Sequence, residues 1–219
     1  LEDTQSDAGL VISRSVVDGS EVTHFKITDI TSGSLYQTDG TTQITDDDFI
    51  TYAQGNAGLK FSPSGDFNGT ASFKLQASLS AVDGGLGGAE VTASIAVTAV
   101  NDVPSFTVGS DQTVLEDGGS QTVSNWATAL STGPSDESGQ TLTFNMSGIN
   151  AGLFAVQPAV SSAGESSYTP ADNVHGSDTV TVTLSDDGGT DNGGVDTSVT
   201  QTFIVVFYTH LTLPTICSV

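Results

Sequence analysis

The chain has 219 residues, of which 26 are Asp or Glu and only four are Lys or Arg, so its formal net charge is −22. This acidity excludes nucleic acids and anionic membrane surfaces as partners, because both need a cationic protein surface. The single cysteine, Cys217, rules out a disulfide framework, and a hydrophobic content of 36% argues for folded domains over disorder.

Two motifs recur along the chain at nearly the same spacing. The opening Leu1-Glu2-Asp3-Thr4 returns as Leu115-Glu116-Asp117-Gly118, and Phe61-Ser62-Pro63 returns as Tyr168-Thr169-Pro170, an offset of 168 − 61 = 107 residues. A polar hinge that ends in proline, Val100–Pro104, separates the copies. This organisation predicts a modular array, with an N-terminally truncated repeat over residues 1–103 and a second repeat over residues 104–207.

Period-two alternation of apolar and polar residues is the strand signal in both repeats. The alternating segments come in pairs near the end of each repeat: Ser72–Ala77 with Val91–Ala99, and Thr179–Leu184 with Thr202–Phe207. Glycine-rich breaks separate the members of each pair and predict hairpin-like turns. Alternation puts one face of a strand on a core, so Val91 and Phe203 are expected to point inward. Short strands with frequent turn signals predict an all-β fold of two tandem Greek-key β-sandwich domains.

In this order the motifs resemble cadherin-type repeats. Such repeats end in an alternating strand, an Ala-x-Asp-Gly-Gly-like turn, a second alternating strand and an Asp-x-Asn-Asp-Asn-x-Pro linker. Here the turns are Asp83-Gly84-Gly85 and Asp186-Asp187-Gly188-Gly189, and the linker is Asn101-Asp102-Val103-Pro104. The nearer resemblance is to the bacterial cadherin-like repeats of very long surface adhesins, with Leu-Glu-Asp-Thr openings and Val-Asn-Asp-x-Pro hinges. It covers residues 1–207 and implies a cadherin/immunoglobulin-like sandwich.

The resemblance also implies a calcium site at the joint between repeats, held by acids from both neighbours. Carried over motif by motif, it assigns the ligand residues Glu2, Asp66, Asn101, Asp102, Asp136 and Asp186. Asn101 is expected to bind through a carbonyl oxygen. A Ca²⁺ ion takes roughly six to eight oxygen ligands, which a joint of this kind supplies. Ala99 replaces the linker's leading acid and Ser138 the second acid of the Asp-x-Asp motif, and these departures predict fewer or more weakly bound ions.

Plainer explanations exist for the same residues. Asn101 and Asp102 also suit a turn whose side chains bond their own backbone before a proline. The remaining loop acids are explained as solvated turn residues; these are Asp83, Asp187, Asp191 and Asp196. Trp126, the only tryptophan, is a candidate sugar-stacking residue, although a role in the core fits it better. The sequence has no nucleophile, metal-hydrolase or cofactor motif, so no enzymatic activity is expected.

The last segment departs from the repeat pattern. Where another hinge is expected after residue 207, the chain reads Tyr-Thr-His-Leu-Thr-Leu-Pro-Thr-Ile-Cys-Ser-Val. These residues match the translation of a transposon-based sequencing adapter, TATACACATCTGACGCTGCCGACGA, followed by an index. Residues 208–219 are therefore expected to be an adapter-derived, non-native tail in which His210 and Cys217 carry no chemistry.

The function that these features favour is structural. We expect an extracellular repeat module of a large bacterial cell-surface adhesin, stiffened by calcium at its joint, with neighbouring repeats of the same chain as direct partners. Cell-surface or glycan ligands would bind through distant domains. The alternatives are a carbohydrate-binding module, which needs an exposed aromatic platform, and a calcium-independent acidic spacer. No apolar run is long enough for direct membrane insertion.

Overall fold

The computed structural model describes residues 1–7 and 9–209. The chain divides into two compact units, one over Leu1–Val100 and one that begins at Asn101. The division lies before the proposed boundary at residue 103 because the Asn101 side chain and the Asp102 backbone N–H both donate to later residues. Of the proposed adapter-derived tail, residues 210–219 lie outside the described part, whereas Tyr208 belongs to the last strand.

Over residues 1–7 and 9–100, the first unit, called unit 1, contains seven strands and one short helix. Their bounds are β1 His24–Thr31, β2 Gly33–Tyr36, β3 Gln43–Ile44, β4 Phe49–Thr51, α1 Tyr52–Asn56, β5 Lys60–Pro63, β6 Gly69–Ser78 and β7 Leu86–Val97. One antiparallel sheet has the order β4-β1-β6-β7 and the other has the order β3-β2-β5. The predicted glycine-rich turn between β6 and β7 is a 3₁₀ turn at Asp83–Gly85. No helix in the described ranges is long and apolar enough to cross a membrane.

The core of unit 1 combines side chains from both sheets. Phe25 of β1 and Phe73 of β6 pack with Phe61 of β5, and all three are almost fully buried. The predicted alternation holds through Phe73 but fails at Val91 of β7, which is 58% exposed. Val91 instead faces an open cavity that Phe25 and Leu75 also line.

Within its described residues, the second unit, called unit 2, contains nine strands. Their bounds are β8 Ser105–Thr107, β9 Gln112–Leu115, β10 Gln121–Val123, β11 Thr128–Ser131, β12 Thr143–Ser147, β13 Phe154–Val160, β14 Ser166–Pro170, β15 Gly176–Ser185 and β16 Gln201–Tyr208. The largest sheet has the order β12-β15-β16-β9, in which β9 runs parallel to β16. The other two sheets are β10-β14-β13 and β11-β8.

The core of unit 2 follows the predicted alternation closely. Val180, Val182 and Leu184 of β15 are fully buried, and Phe203 of β16 is 1% exposed. Trp126 is also buried, with its ring 4.6 Å from that of Phe203 and its Nε1–H donated to Ser110 O at 3.1 Å. Trp126 is thus a core residue, and it does not provide the exposed platform that a carbohydrate-binding module needs.

The hydrogen bonds of Asp39, in the turn between β2 and β3, predict a pH-dependent contribution to stability. Its carboxylate accepts the Thr42 hydroxyl at 2.6 Å and the backbone N–H groups of Thr42 and Thr41, each at 2.9 Å. These bonds lower the pKa of Asp39 from 3.8 to about 2, and the bond from the Thr42 hydroxyl has the largest effect. Because the folded pKa is depressed, the carboxylate contributes stability above pH 3.8, and this is lost as the pH falls through about 2.

An NMR titration of the Asp39 carboxyl carbon is therefore expected to give a midpoint of about 2. The variant Thr42→Val removes the hydroxyl donor and leaves the backbone donors in place, so its midpoint should rise toward 3.8. A midpoint near 3.8 in the unmodified chain would show that these hydrogen bonds do not persist in solution.

Candidate metal centre

Glu2 is buried at the end of unit 1 that leads into the hinge. Its carboxylate accepts the Val100 N–H at 2.5 Å and the Asn68 side-chain amide at 3.4 Å, and the residue is 2% exposed. Its own N–H donates to Thr98 O at 3.0 Å, which fixes the opening segment beside the end of β7. A carboxylate is buried at acceptable cost only with such partners. The first predicted ligand is therefore held by the hinge residue Val100.

Asp66 lies in the turn that follows β5. Its backbone has a φ of +56°, and its N–H donates to Asp3 Oδ1 at 3.0 Å. Both residues are exposed, so their carboxylates are accessible to solvent ions. The structure thus pairs the predicted ligand Asp66 with Asp3, an acid that the motif comparison did not single out.

The same arrangement recurs in unit 2. The Glu116 N–H donates to Tyr208 O at 2.8 Å, as that of Glu2 does to Thr98, and the Asn173 N–H donates to Asp117 Oδ1 at 2.8 Å. His175 lies 107 residues after Asn68 and places its Nδ1 3.9 Å from Glu116 Oε2. Glu116 and Asp117 therefore repeat the arrangement of Glu2 and Asp3, whereas Asn173 stands where unit 1 has the carboxylate of Asp66.

Asn101 ties the hinge to the glycine-rich loop of unit 2. Its side-chain amide donates to Asp186 Oδ1 at 2.9 Å, and its Oδ1 accepts the Gln140 side-chain amide at 2.7 Å. Its backbone carbonyl oxygen accepts the Val195 N–H at 2.9 Å and keeps a second lone pair. A Cβ at Gly188 would overlap Asn101 Oδ1, so only glycine fits there. These partners lie far along the chain, so the self-bonded turn does not describe Asn101.

Asp102 is joined to Glu137, one residue beyond the predicted ligand Asp136. The Asp102 N–H donates to Glu137 Oε1 at 2.7 Å. Glu137 closes the 3₁₀ turn Ser135–Glu137 and is 7% exposed, whereas Asp136 in the same turn is exposed. Gly133 passes so close that a Cβ there would overlap Glu137 Oε2. The buried carboxylate of this motif is therefore that of Glu137, which the motif comparison missed.

Burial and neighbouring like charges both raise the pKa of Glu137. Desolvation is the largest cause that raises its pKa above 4.5, opposed by the hydrogen bond from the Asp102 N–H. The carboxylates of Asp102, Asp136 and Asp186 raise the pKa of Glu137 further by repulsion. The three predicted carboxylates of unit 2 therefore lie close enough to Glu137 to act on its charge, and a cation among them would relieve the repulsion.

Three residues of this group carry oxygens without a hydrogen-bond partner. Glu137 Oε2, Gln140 Oε1 and Asp186 Oδ2 account for three of the four buried, unpartnered side-chain polar atoms in the described ranges. Buried polar atoms are rarely left so unless an ion or water satisfies them. Carboxylate and amide oxygens are the donors that a hard cation such as Ca²⁺ prefers. The residues of unit 2 therefore fit a calcium ion.

One of the acids that were expected to be solvated turn residues forms an ion pair. Asp83, in the turn before β7, lies 2.8 Å from Lys26 Nζ and is largely exposed. Asp187 is also exposed and accepts the Thr141 N–H at 2.7 Å. Both contacts are made at the surface of their own unit, which suits a role in the turns.

The comparisons with known proteins agree with this architecture. Residues 101–198 match the family model of the bacterial Ig domain. No curated protein matches the chain. Drosophila N-cadherin EC1-4 is similar at 16% identity, covering 96% of this chain and 46% of that chain, with a TM-score of 0.52. Human CDH23 EC21-23 is similar at 15% identity, covering 94% of this chain and 64% of that chain, with a TM-score of 0.50.

At such low identity the likeness to the cadherin structures shows the fold alone, and this chain spans less than two thirds of each of them. Together with the bacterial Ig match over residues 101–198, it supports a fold of bacterial cadherin-like, Ig-like β-sandwich repeats. The family resemblance and the all-β, sandwich-type fold class that the motifs predicted are confirmed.

Proposed function

We propose that the chain is a structural and adhesive repeat module of a large bacterial surface protein, located outside the cell, whose joint is stiffened by calcium. The bacterial Ig match and the cadherin-type fold support a tandem repeat module. The net charge of −22 supports cation binding and disfavours nucleic-acid partners. Neighbouring repeats are the direct partners, and the module carries no catalytic residues of its own.

The observation that carries the proposal is the set of buried, unpartnered oxygens of Glu137, Gln140 and Asp186. They belong to one network, because Asp186 bonds to Asn101 and Glu137 bonds to the next residue, Asp102. A buried carboxylate repelled by its neighbours is unfavourable without a counter-ion. Calcium would supply that counter-ion, with Asp102, Asp136 and Asp186 as charged ligands and Glu137 and Gln140 as additional donors.

The remaining proposed ligands come from unit 1. Glu2 binds the N–H of Val100, and Val100 is joined directly to Asn101. The opening carboxylate of one repeat is thus fastened to the residue that precedes the oxygen-rich network of the next. Glu2 and Asp66 would supply the ligands from unit 1. An ion bound by these ligands and by those of unit 2 would restrict movement at the hinge.

Calorimetric titration of Ca²⁺ into the chain tests the proposal. Extracellular modules bind calcium with dissociation constants of about 10⁻⁴ to 10⁻³ M, and we expect a value in that range. Replacement of a charged ligand in Asp186→Asn should weaken binding at least about tenfold. The exposed Asp18→Asn, which removes the same charge away from the network, should bind as the unmodified chain does.

A flat titration at several millimolar calcium, roughly the upper end of this affinity range, would leave the calcium-independent acidic spacer as the function. Equal loss of affinity in Asp18→Asn and Asp186→Asn would show that calcium binding depends on the net charge of the protein alone. The carbohydrate-binding alternative finds no support at Trp126, whose ring is buried against Phe203.

A further inference from the structure

Two equivalent strands, β1 in unit 1 and β12 in unit 2, differ in what lies beside them. The strands that they both pair with, β6 and β15, span Gly69–Ser78 and Gly176–Ser185 and lie 176 − 69 = 107 residues apart. His24 of β1 and Thr143 of β12 each lie opposite the last residue of that strand. The other side of β1 pairs with β4, whereas among the described residues no strand pairs with the other side of β12.

The cause is a shorter connection in unit 2. Unit 1 has 61 − 24 = 37 residues from His24 to Phe61, and unit 2 has 168 − 143 = 25 residues from Thr143 to Tyr168, which is equivalent to Phe61. The 37 − 25 = 12 additional residues of unit 1 belong to the interval that contains β4. The structure describes every residue of both connections, so the open edge is a property of unit 2 itself.

The equivalent strand of unit 1 shows which backbone groups point outward. The Ile27 N–H donates to Asp48 O, and Ile27 O accepts the Asp47 N–H, both at 2.9 Å. Met146, which follows Thr143 by the same three residues, holds the position of Ile27 in β12. Its N–H and C=O therefore point away from β15, as do those of Phe144, two residues earlier. We call this outward side of residues 143–147 the β12 edge.

The β12 edge carries no charge. Natural edge strands are commonly protected from pairing with other molecules by charged side chains, Lys above all. None of the residues of Thr143–Ser147 is charged, and Asn145 stands where β1 has Lys26. The acids Asp187 and Asp178 bond to Thr141 and Asn150, beyond the two ends of the strand.

The charge of the whole chain favours a second copy as the partner of this edge. Each copy has a net charge of −22, so two copies repel each other over most of their surfaces. An uncharged edge is the place where two such molecules approach at least cost. Antiparallel pairing of a strand with its own copy is also self-complementary, so the same edge serves both molecules.

We propose that two copies of this chain associate through the β12 edge, with the two β12 strands antiparallel across a two-fold axis. Asn145 lies on the axis, and Phe144 of each copy lies opposite Met146 of the other. Each of these pairs exchanges both of its backbone hydrogen bonds. Phe144 and Met146 are half-buried against the core of their unit, so the pairing covers their remaining apolar surface. The contact uses none of the proposed calcium ligands.

Sedimentation of the full chain over a range of concentrations tests the proposal. Chelator keeps the test independent of calcium, and a reductant prevents Cys217 from linking two molecules. A contact of one strand edge falls among interfaces below about 1,200 Å², so we expect a weak dimer. Its dissociation constant should fall at least about threefold from about 0.05 to 0.5 M salt, because salt screens the repulsion between the copies. A chain that stays monomeric at about 1 mM would overturn the proposal.

Two lysine variants locate the contact. Asn145→Lys places like charges opposite each other on the axis and should weaken the dimer at least about tenfold. The unit should still fold, because unit 1 has Lys26 at this position. The matched control, Thr181→Lys, adds the same charge to the neighbouring strand β15, where unit 1 has Lys74, and should dimerise at least as well as the unmodified chain.

Amide hydrogen exchange identifies the paired groups. At concentrations that form the dimer, the amides of Phe144 and Met146 should become protected, whereas that of Asn145 pairs with β15 in monomer and dimer alike. A dimer that persists in Asn145→Lys, or that leaves the amides of Phe144 and Met146 unprotected, would overturn the proposal because the contact would then lie elsewhere.

Discussion

Phe203→Ala is expected to destabilise unit 2 by about 3–5 kcal/mol, since it removes a large aromatic side chain from a packed core. Phe203 is 1% exposed, and its ring lies 4.6 Å from that of Trp126. Single domains are stable by only about 5–15 kcal/mol, so the loss is a large share of the total. Urea unfolding followed by the fluorescence of Trp126, the only tryptophan, reports this unit directly.

Phe73→Ala is the matched control in unit 1. Phe73 is equally buried, in the core formed by β1, β5 and β6, and it lies in the other compact unit. It should lower the stability of unit 1 by a similar amount, seen by circular dichroism, while the Trp126 transition stays in place. A Trp126 transition that shifts as much in Phe73→Ala as in Phe203→Ala would show that the two units unfold as one.

Glu137→Gln is expected to have opposite effects with and without calcium. Without the ion, the variant removes a buried charge from beside three carboxylates, so unit 2 should gain stability, by up to about 1 kcal/mol. With calcium at about ten times its dissociation constant, binding stabilises the unmodified protein by about 1.4 kcal/mol, and the variant should lose most of this gain. Thermal melting of both proteins in calcium and in chelator measures the two effects.

The sign of the pH dependence follows from the raised pKa of Glu137. The folded protein holds this proton more tightly than the unfolded chain, whose value is 4.5. Without calcium, stability should therefore fall as the pH rises from 4.5 through the folded pKa, and Glu137→Gln should lack that fall. If the variant melts as the unmodified protein does at every pH, with calcium and without, Glu137 is not part of the site.

The sequence contained enough to predict two strands of unit 2, β15 and β16. The alternating residues of β15 and β16 became its core because both strands are covered on the side that they turn inward. The same rule failed at Val91, whose alternation is equally regular. Alternation reports which face a strand offers to a core, and it carries no information about whether another strand covers that face.

The candidate site was predictable only in part, for a similar reason. The motifs pointed to the acids at the hinge and in the glycine-rich loop, and the structure joins Asn101 to Asp186. They selected Asp136 over its neighbour, yet the 3₁₀ turn directs Glu137 into the protein and leaves Asp136 outside. Which of two adjacent acids is buried depends on the local turn, and here the buried carboxylate of Glu137 lies against Gly133.

The most direct test of calcium stiffening is small-angle X-ray scattering of the chain in calcium and then in chelator. The scattering should be compared at about 5 mM calcium, above the dissociation constants usual for extracellular modules. We predict a narrower distribution of interdomain distances with calcium, reversed by chelator and absent in Glu137→Gln. Superimposable profiles in calcium and chelator, at a concentration where calorimetry shows the ion bound, would contradict the proposal that calcium stiffens the joint.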